Sequence, residues 1–236
     1  MTSSLVGSEM CIRDRYFSGL EDKYPVKYQK QGSYVGGLFV FESKLTQEFR
    51  LHFDEKIAEM FQSIGIREGS VWIEVFHDGE NYYFNEVGFR YGGSVSIYPV
   101  DYFYQINQVA ADIHYALTGE SCISEHTSLI RSTLPRKKYY CIYPVHINAG
   151  TISSISGLDK IAQLENIVYL ATTKYLHDRI ESSGSFSQVF ALVHFVCNTT
   201  EECIQTIDRI HQMLVVFDEH GNNMVNRMLD VGKIIF

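Results

Sequence analysis

The chain has 236 residues, 45% of them hydrophobic, which is enough for one large core or two modest ones. Its formal net charge of −8 argues against a reader of phosphate backbones, since such proteins carry a basic face. An acidic enzyme that meets phosphates through bridging divalent ions stays open. No apolar run approaches the ~20 residues of a membrane span. The five cysteines, at 11, 122, 141, 197 and 203, form no CxxC pair and no zinc spacing with histidine, so reduced thiols and a cytoplasmic location are expected, with neither nucleic acid nor membrane as partner.

Residues 5–15, Leu-Val-Gly-Ser-Glu-Met-Cys-Ile-Arg-Asp-Arg, resemble the translated DNA of a transposase adapter used in sequencing libraries. A basic start followed by an apolar core is missing, so a secretory peptide is not expected. On this reading 1–15 is an artefact and the natural reading frame is interrupted upstream of about Tyr16.

From residue 46 the apolar positions Phe49, Phe53, Ile57, Met60, Phe61 and Ile64 recur at helical spacing and Gly65 follows, which predicts one amphipathic helix. Two β-rich runs, 71–76 and 82–87, flank Asp78-Gly79-Glu80-Asn81 and predict a hairpin. A second helix is predicted over 101–117. Its buried stripe is Ile106, Val109, Ala110, Ile113, Ala116 and Leu117, and Gly119 ends it. The basic stretch 131–138, with Pro135, marks a boundary. Beyond it, strands are predicted at 139–147, 151–156, 166–173 and 188–197, then a helix opened by Thr199 and Glu202 and carrying Ile204, Ile207, Ile210, Met213 and Leu214. The fold class is α+β throughout, without repeats. His146 and His194 fall on predicted strands and read as satisfied histidines rather than metal ligands.

In a hairpin centred on Glu80, residues Glu74 and Glu86 lie directly opposite each other on one face. Cβ atoms so placed are ~4.5 to 5.5 Å apart, and like charges there are destabilising without a cation between them. Arg90 keeps the same parity, and a divalent metal would satisfy both carboxylates and leave room for phosphate oxygens. Spacing alone equally allows a solvated hairpin face, although Trp72, Phe76, Tyr82 and Phe84 make the surroundings unusually aromatic.

The run Gly69-Ser70-Val71-Trp72-Ile73-Glu74-Val75-Phe76, with Phe84-Asn85-Glu86-Val87-Gly88-Phe89-Arg90-Tyr91-Gly92-Gly93, resembles the metal-binding end of ATP-grasp ligases of the biotin carboxylase and carbamoyl-phosphate synthetase branch, including the twelve-residue separation of the acids. The resemblance implies a C-terminal part of an ATP-grasp domain over 16–135, an antiparallel sheet with helices. A small carboxylase-like α+β domain over 136–236 would follow, introduced by Gly150-Thr151-Ile152 and Ile155-Ser156-Gly157. It implies ATP and Mg²⁺ (or Mn²⁺) as cofactors, Glu74 and Glu86 as metal ligands, and Arg90 as the cation that contacts phosphate or substrate. The partners would be a small-molecule carboxylate and an amine, with a homodimer as a candidate assembly. The family's usual asparagine two positions after the second glutamate is Gly88 here. Its ATP-contacting lysines, phosphate loop and adenine hinge are not recognisable in 16–45, where Gly32-Ser33-Tyr34-Val35-Gly36-Gly37 lacks the basic residue and helix of a nucleotide loop. The expected function is a fragment, itself inactive, of a ligase acting through an acyl phosphate. The competing reading is a noncatalytic binding or assembly module with a degenerate site.

Overall fold

A computed structural model describes residues 8–9, 17–66, 69–121 and 138–236. In chain order the elements are β1 (Ser8–Glu9), β2 (Glu21–Lys27), β3 (Tyr34–Phe41), α1 (Thr46–Ser63), β4 (Ser70–His77), β5 (Tyr82–Gly88), α2 (Ile97–Tyr104) and α3 (Gln108–Thr118). They continue with β6 (Tyr139–Ile147), β7 (Gly150–Ser156), α4 (Leu158–Ala162), β8 (Ile167–Thr172), β9 (Arg179–Ile180), β10 (Val189–Cys197), α5 (Thr200–Met213), β11 (Val215–Asp218) and β12 (Val225–Asn226). The architecture is mixed helix and antiparallel sheet. Most of the adapter-like segment and the basic stretch 131–137 lie outside the described residues, although Ser8 and Glu9 pair with Val71 and Ser70.

The chain divides into two compact units, 1–22 with 41–136 and 23–40 with 137–236. Residues 23–40 therefore join the later unit and not the earlier one, because β2 and β3 continue the sheet β2-β3-β6-β10-β8. Val26, Leu38 and Val40 enter the same apolar cluster as Val145, Phe190 and Ile207. Strand pairing between segments so distant in sequence leaves no local mark.

In the first unit, α1 lays Phe49, Ile57 and Phe61 against Val71, Ile73 and Val75 of β4. Met60 and Ile64, predicted on this buried face, are 46% and 67% exposed. The second predicted helix is broken. Gln105 takes a left-handed conformation (φ 58°) at the end of α2, and the Asn107 side chain accepts from the Ala110 amide to start α3 afresh. Gln108 and Ala111 become the buried residues of α3. Val109, Ile113 and Leu117 of the predicted stripe are instead exposed, whereas Ile106, now between the helices, is buried.

In the second unit the predicted strands appear as β6, β7, β8 and β10. Ile207, Ile210 and Leu214 are buried as expected, and the Thr199 hydroxyl accepts from the Glu202 amide at the start of α5. Gly157 joins β7 to α4 at φ 94°, where an added Cβ would lie 1.9 Å from the Met213 carbonyl oxygen, so only glycine fits.

Candidate functional site

The hairpin tip is set by Asp78. Its Oδ1 accepts from the amides of Glu80 (2.9 Å) and Asn81 (2.8 Å), and its Oδ2 from the Tyr83 hydroxyl (2.9 Å). These bonds, the Asn81 amide foremost, hold the Asp78 carboxyl down at about 2. Asp78 thus closes a side-chain-stabilised turn.

From that turn the register runs His77↔Tyr82, Phe76↔Tyr83 and Val75↔Phe84, then shifts by one so that Glu74 opposes Glu86, Ile73 opposes Val87 and Trp72 opposes Gly88. The hairpin is therefore not symmetric about Glu80. Asn85 is the extra residue of a β-bulge, and the bulge restores the expected pairing of the two glutamates. Because a bulge sets two residues against one, Asn85 and Glu86 both face Glu74. The Asn85 Nδ2 donates to the Glu74 Oε2 at 2.7 Å.

Alternation along β4 sends Val71, Ile73 and Val75 into the core and leaves Trp72 and Glu74 on the opposite face. Tyr82 and Phe84 turn inward against Phe49 and Phe53 of α1. The outer face thus carries a half-buried Glu74 and an exposed Glu86 side by side. The Arg90 guanidinium lies over the Trp72 ring, 4.9 Å from its centroid, and donates to the Tyr91 carbonyl at 2.9 Å. At Gly88 an added Cβ would stand 3.3 Å from Arg90 Cγ and Nε and 3.5 Å from Trp72. The bare backbone leaves room for the arginine to stack, a physical reason for glycine where the ATP-grasp pattern has asparagine.

The site has features that sequence reading did not single out. Asn85 was within the quoted run, but only the bulge turns it toward Glu74. Asp112, on the inward side of α3, accepts from the Tyr91 hydroxyl and, at 3.4 Å, from the Ser70 hydroxyl, and so ties the segment after β5 to the start of β4. Gly93 has open space around an added Cβ, consistent with a turn. Gly36 and Gly37 lie within β3. Gly36 gives its carbonyl to His146 Nε2 at 2.9 Å, and a Cβ at Gly37 would strike Val26. His146 also pairs with the Tyr28 hydroxyl (2.9 Å), and His194 Nδ1 with the Tyr140 hydroxyl (3.0 Å). Both imidazoles are buried and their pKa values are lowered by burial, that of His194 to about 3.

No protein-family model and no curated protein matches the chain. Solved structures do. The chain aligns over 92% of its length with L-amino acid ligase from Bacillus licheniformis, at a TM-score of 0.67 and 19% identity. It aligns over 92% with phosphoribosylglycinamide synthetase from Anaerococcus prevotii, at 0.65 and 14%. It aligns over 91% with the biotin carboxylase domain of Hydrogenobacter thermophilus 2-oxoglutarate carboxylase, a dimer solved with MgADP, ADP and bicarbonate, at 0.63 and 14%. The matched shares of those chains are 51%, 52% and 45%, so this chain spans about half the length of the structures it resembles. The fold is that of a corresponding half of ATP-grasp ligases.

Proposed function

We propose that the chain is the metal-binding part of an ATP- and Mg²⁺-dependent ligase that joins a carboxylate to an amine or another nucleophile through an acyl phosphate. The observation that carries this reading is the cross-strand pair Glu74 and Glu86, held on one face by the bulge at Asn85, in a fold shared with ligases. The donor set suits the cofactor, because carboxylate oxygens are what hard divalent cations take. Glu74 and Glu86 would hold Mg²⁺ or Mn²⁺, which when bound neutralises charge on the phosphates of ATP.

The chain's own residues have distinct tasks. Asn85 positions the Glu74 carboxylate. Arg90, its guanidinium over the Trp72 ring, presents its remaining donors to a phosphate or a substrate carboxylate. In the reaction the substrate carboxylate oxygen attacks the γ-phosphorus and ADP leaves. The nucleophile then attacks the acyl carbon and displaces inorganic phosphate. Neither step needs a covalent protein nucleophile, so positioning and charge stabilisation carry the rate. The ATP-contacting lysines and phosphate loop are not recognisable in 16–45, and the chain by itself would not turn ATP over.

The test is ADP formation by the longer gene product in the presence of Mg²⁺ and a panel of carboxylates and amines. Glu86→Gln should reduce turnover at least about 100-fold, the scale of disrupted metal sites, and Glu80→Gln at the hairpin tip should leave it unchanged. Equal activity in wild type and Glu86→Gln would remove the metal assignment.

A further inference from the structure

We propose that Cys141, Cys197 and Cys203 form a three-thiolate site for a soft d¹⁰ metal ion, Cu(I) being the cation that three sulfurs suit. The three come from different places in the second unit: mid-β6, the last residue of β10, and the first turn of α5. Their sulfurs converge. Cys141 Sγ is 3.7 Å from Cys197 Sγ and 3.9 Å from Cys203 Sγ, and all three lie within 4.8 Å of one another. A point equidistant from sulfurs so spaced is about 2.2 to 2.5 Å from each, against ~2.3 Å for a zinc–thiolate bond. A first-row d¹⁰ ion therefore fits the triangle without moving the backbone.

The chemistry of the donors selects the ion. Thiolates favour Cu(I), zinc and iron–sulfur clusters. Among the described residues the group contains no histidine, aspartate or glutamate ligand atom that would complete a tetrahedral zinc site. All three cysteines are free and buried, with exposures of 0%, 2% and 0%, which shields a bound ion from water and from oxidants. Cys197 lines a cleft of about 640 Å³ together with Asn198, Glu202, Thr206 and Arg209, all from this unit. Metal uptake would release the thiol protons. The bland alternative is three cysteines packed as small apolar side chains.

The test uses the full chain with Cys11→Ala and Cys122→Ala, reduced and under argon, titrated with Cu(I) against a bicinchoninate competitor. One Cu(I) per chain is expected, with sulfur-to-copper charge-transfer absorption. At metal concentrations 100 times the Kd the melting midpoint should rise by at least about 5 °C. Cys197→Ser, at the cleft, should weaken binding at least about 100-fold while circular dichroism stays native; Cys203→Ala serves the same purpose if the serine variant misfolds. Absence of stoichiometric binding by the native fold, or binding unchanged in both variants, would overturn the site. The outcome is independent of the ligase reading, whose residues lie in the other unit.

Discussion

Glu74 and Glu86 face each other because Asn85 is one residue too many for a regular hairpin. The bulge both sets the pairing and places an amide against Glu74. Asn85→Ala keeps the bulge's length but removes that hydrogen bond, so turnover by the longer protein should fall about 10- to 100-fold while the fold persists. Deleting Asn85 is a harsher change, since a one-residue slip sends Glu86 to the opposite face. The site also carries its own reporter, because Trp72 is the only tryptophan in the chain. Arg90→Ala, or a side chain introduced by Gly88→Val, should free the indole from the guanidinium and shift its emission; unchanged fluorescence in both would mean that the stacking does not occur in solution. The pairing of the two acids was expected from sequence, although from a turn centred on Glu80 that the hairpin does not have. The role of Asn85 was not, because an alternating pattern cannot mark which residue is extra.

Among the secondary elements, α5 follows its apolar periodicity and α1 does so apart from Met60 and Ile64, whereas the second predicted helix does not. Gln105 in the left-handed region is an uncommon helix stop, and nothing like the Gly119 signal announces it. Asn107 is of a residue type that caps helices, but the apolar positions from Ile106 to Leu117 continue across it without a break. The restart of the helix places Gln108 and Ala111 inward and turns Ile113 and Leu117 out. The central strands β6 and β10 lead to a pH prediction. Burial lowers the pKa values of both His146 and His194, the latter to about 3, against ~6.5 in an unfolded chain. Below about pH 6.5 the unfolded chain therefore takes up protons that the folded unit refuses. Stability should be fully present above that pH and fall as pH drops, by up to about 1.4 kcal/mol per pH unit for each histidine. Urea unfolding at pH 7 and pH 5 measures this, and His194→Gln should reduce the difference. A pH dependence equal to wild type would show that His194 is not the neutral buried group described.

Across the chain, the compact units divide near residue 136, and 23–40 belongs with the later unit. Composition and turn signals mark where a chain leaves a core. They do not say which distant strand it joins. Residues 137–236 alone lack β2 and β3 and the burial of Val26, Leu38 and Val40. Expressed without 23–40 they should give a poorly dispersed amide spectrum, and adding those residues back through a linker should restore dispersion. A well-folded 137–236 would contradict the role given to β2 and β3. The cysteine triad has the same lesson: positions 141, 197 and 203 have no metal spacing in sequence, yet β6, β10 and α5 bring their sulfurs together.

The claim on which the functional reading stands is that the outer face of the hairpin binds a divalent cation, and it can be tested on this chain without nucleotide turnover. In ¹⁵N-labelled protein, substoichiometric Mn²⁺ broadens amide signals near wherever it binds, even when binding is weak. The account predicts broadening centred on Glu74, Asn85 and Glu86, extending to Gly88, reversed by excess Mg²⁺ and abolished by Glu74→Gln with Glu86→Gln. Broadening confined to Asp78 and Glu80 at the tip, or unchanged in the double variant, would contradict it.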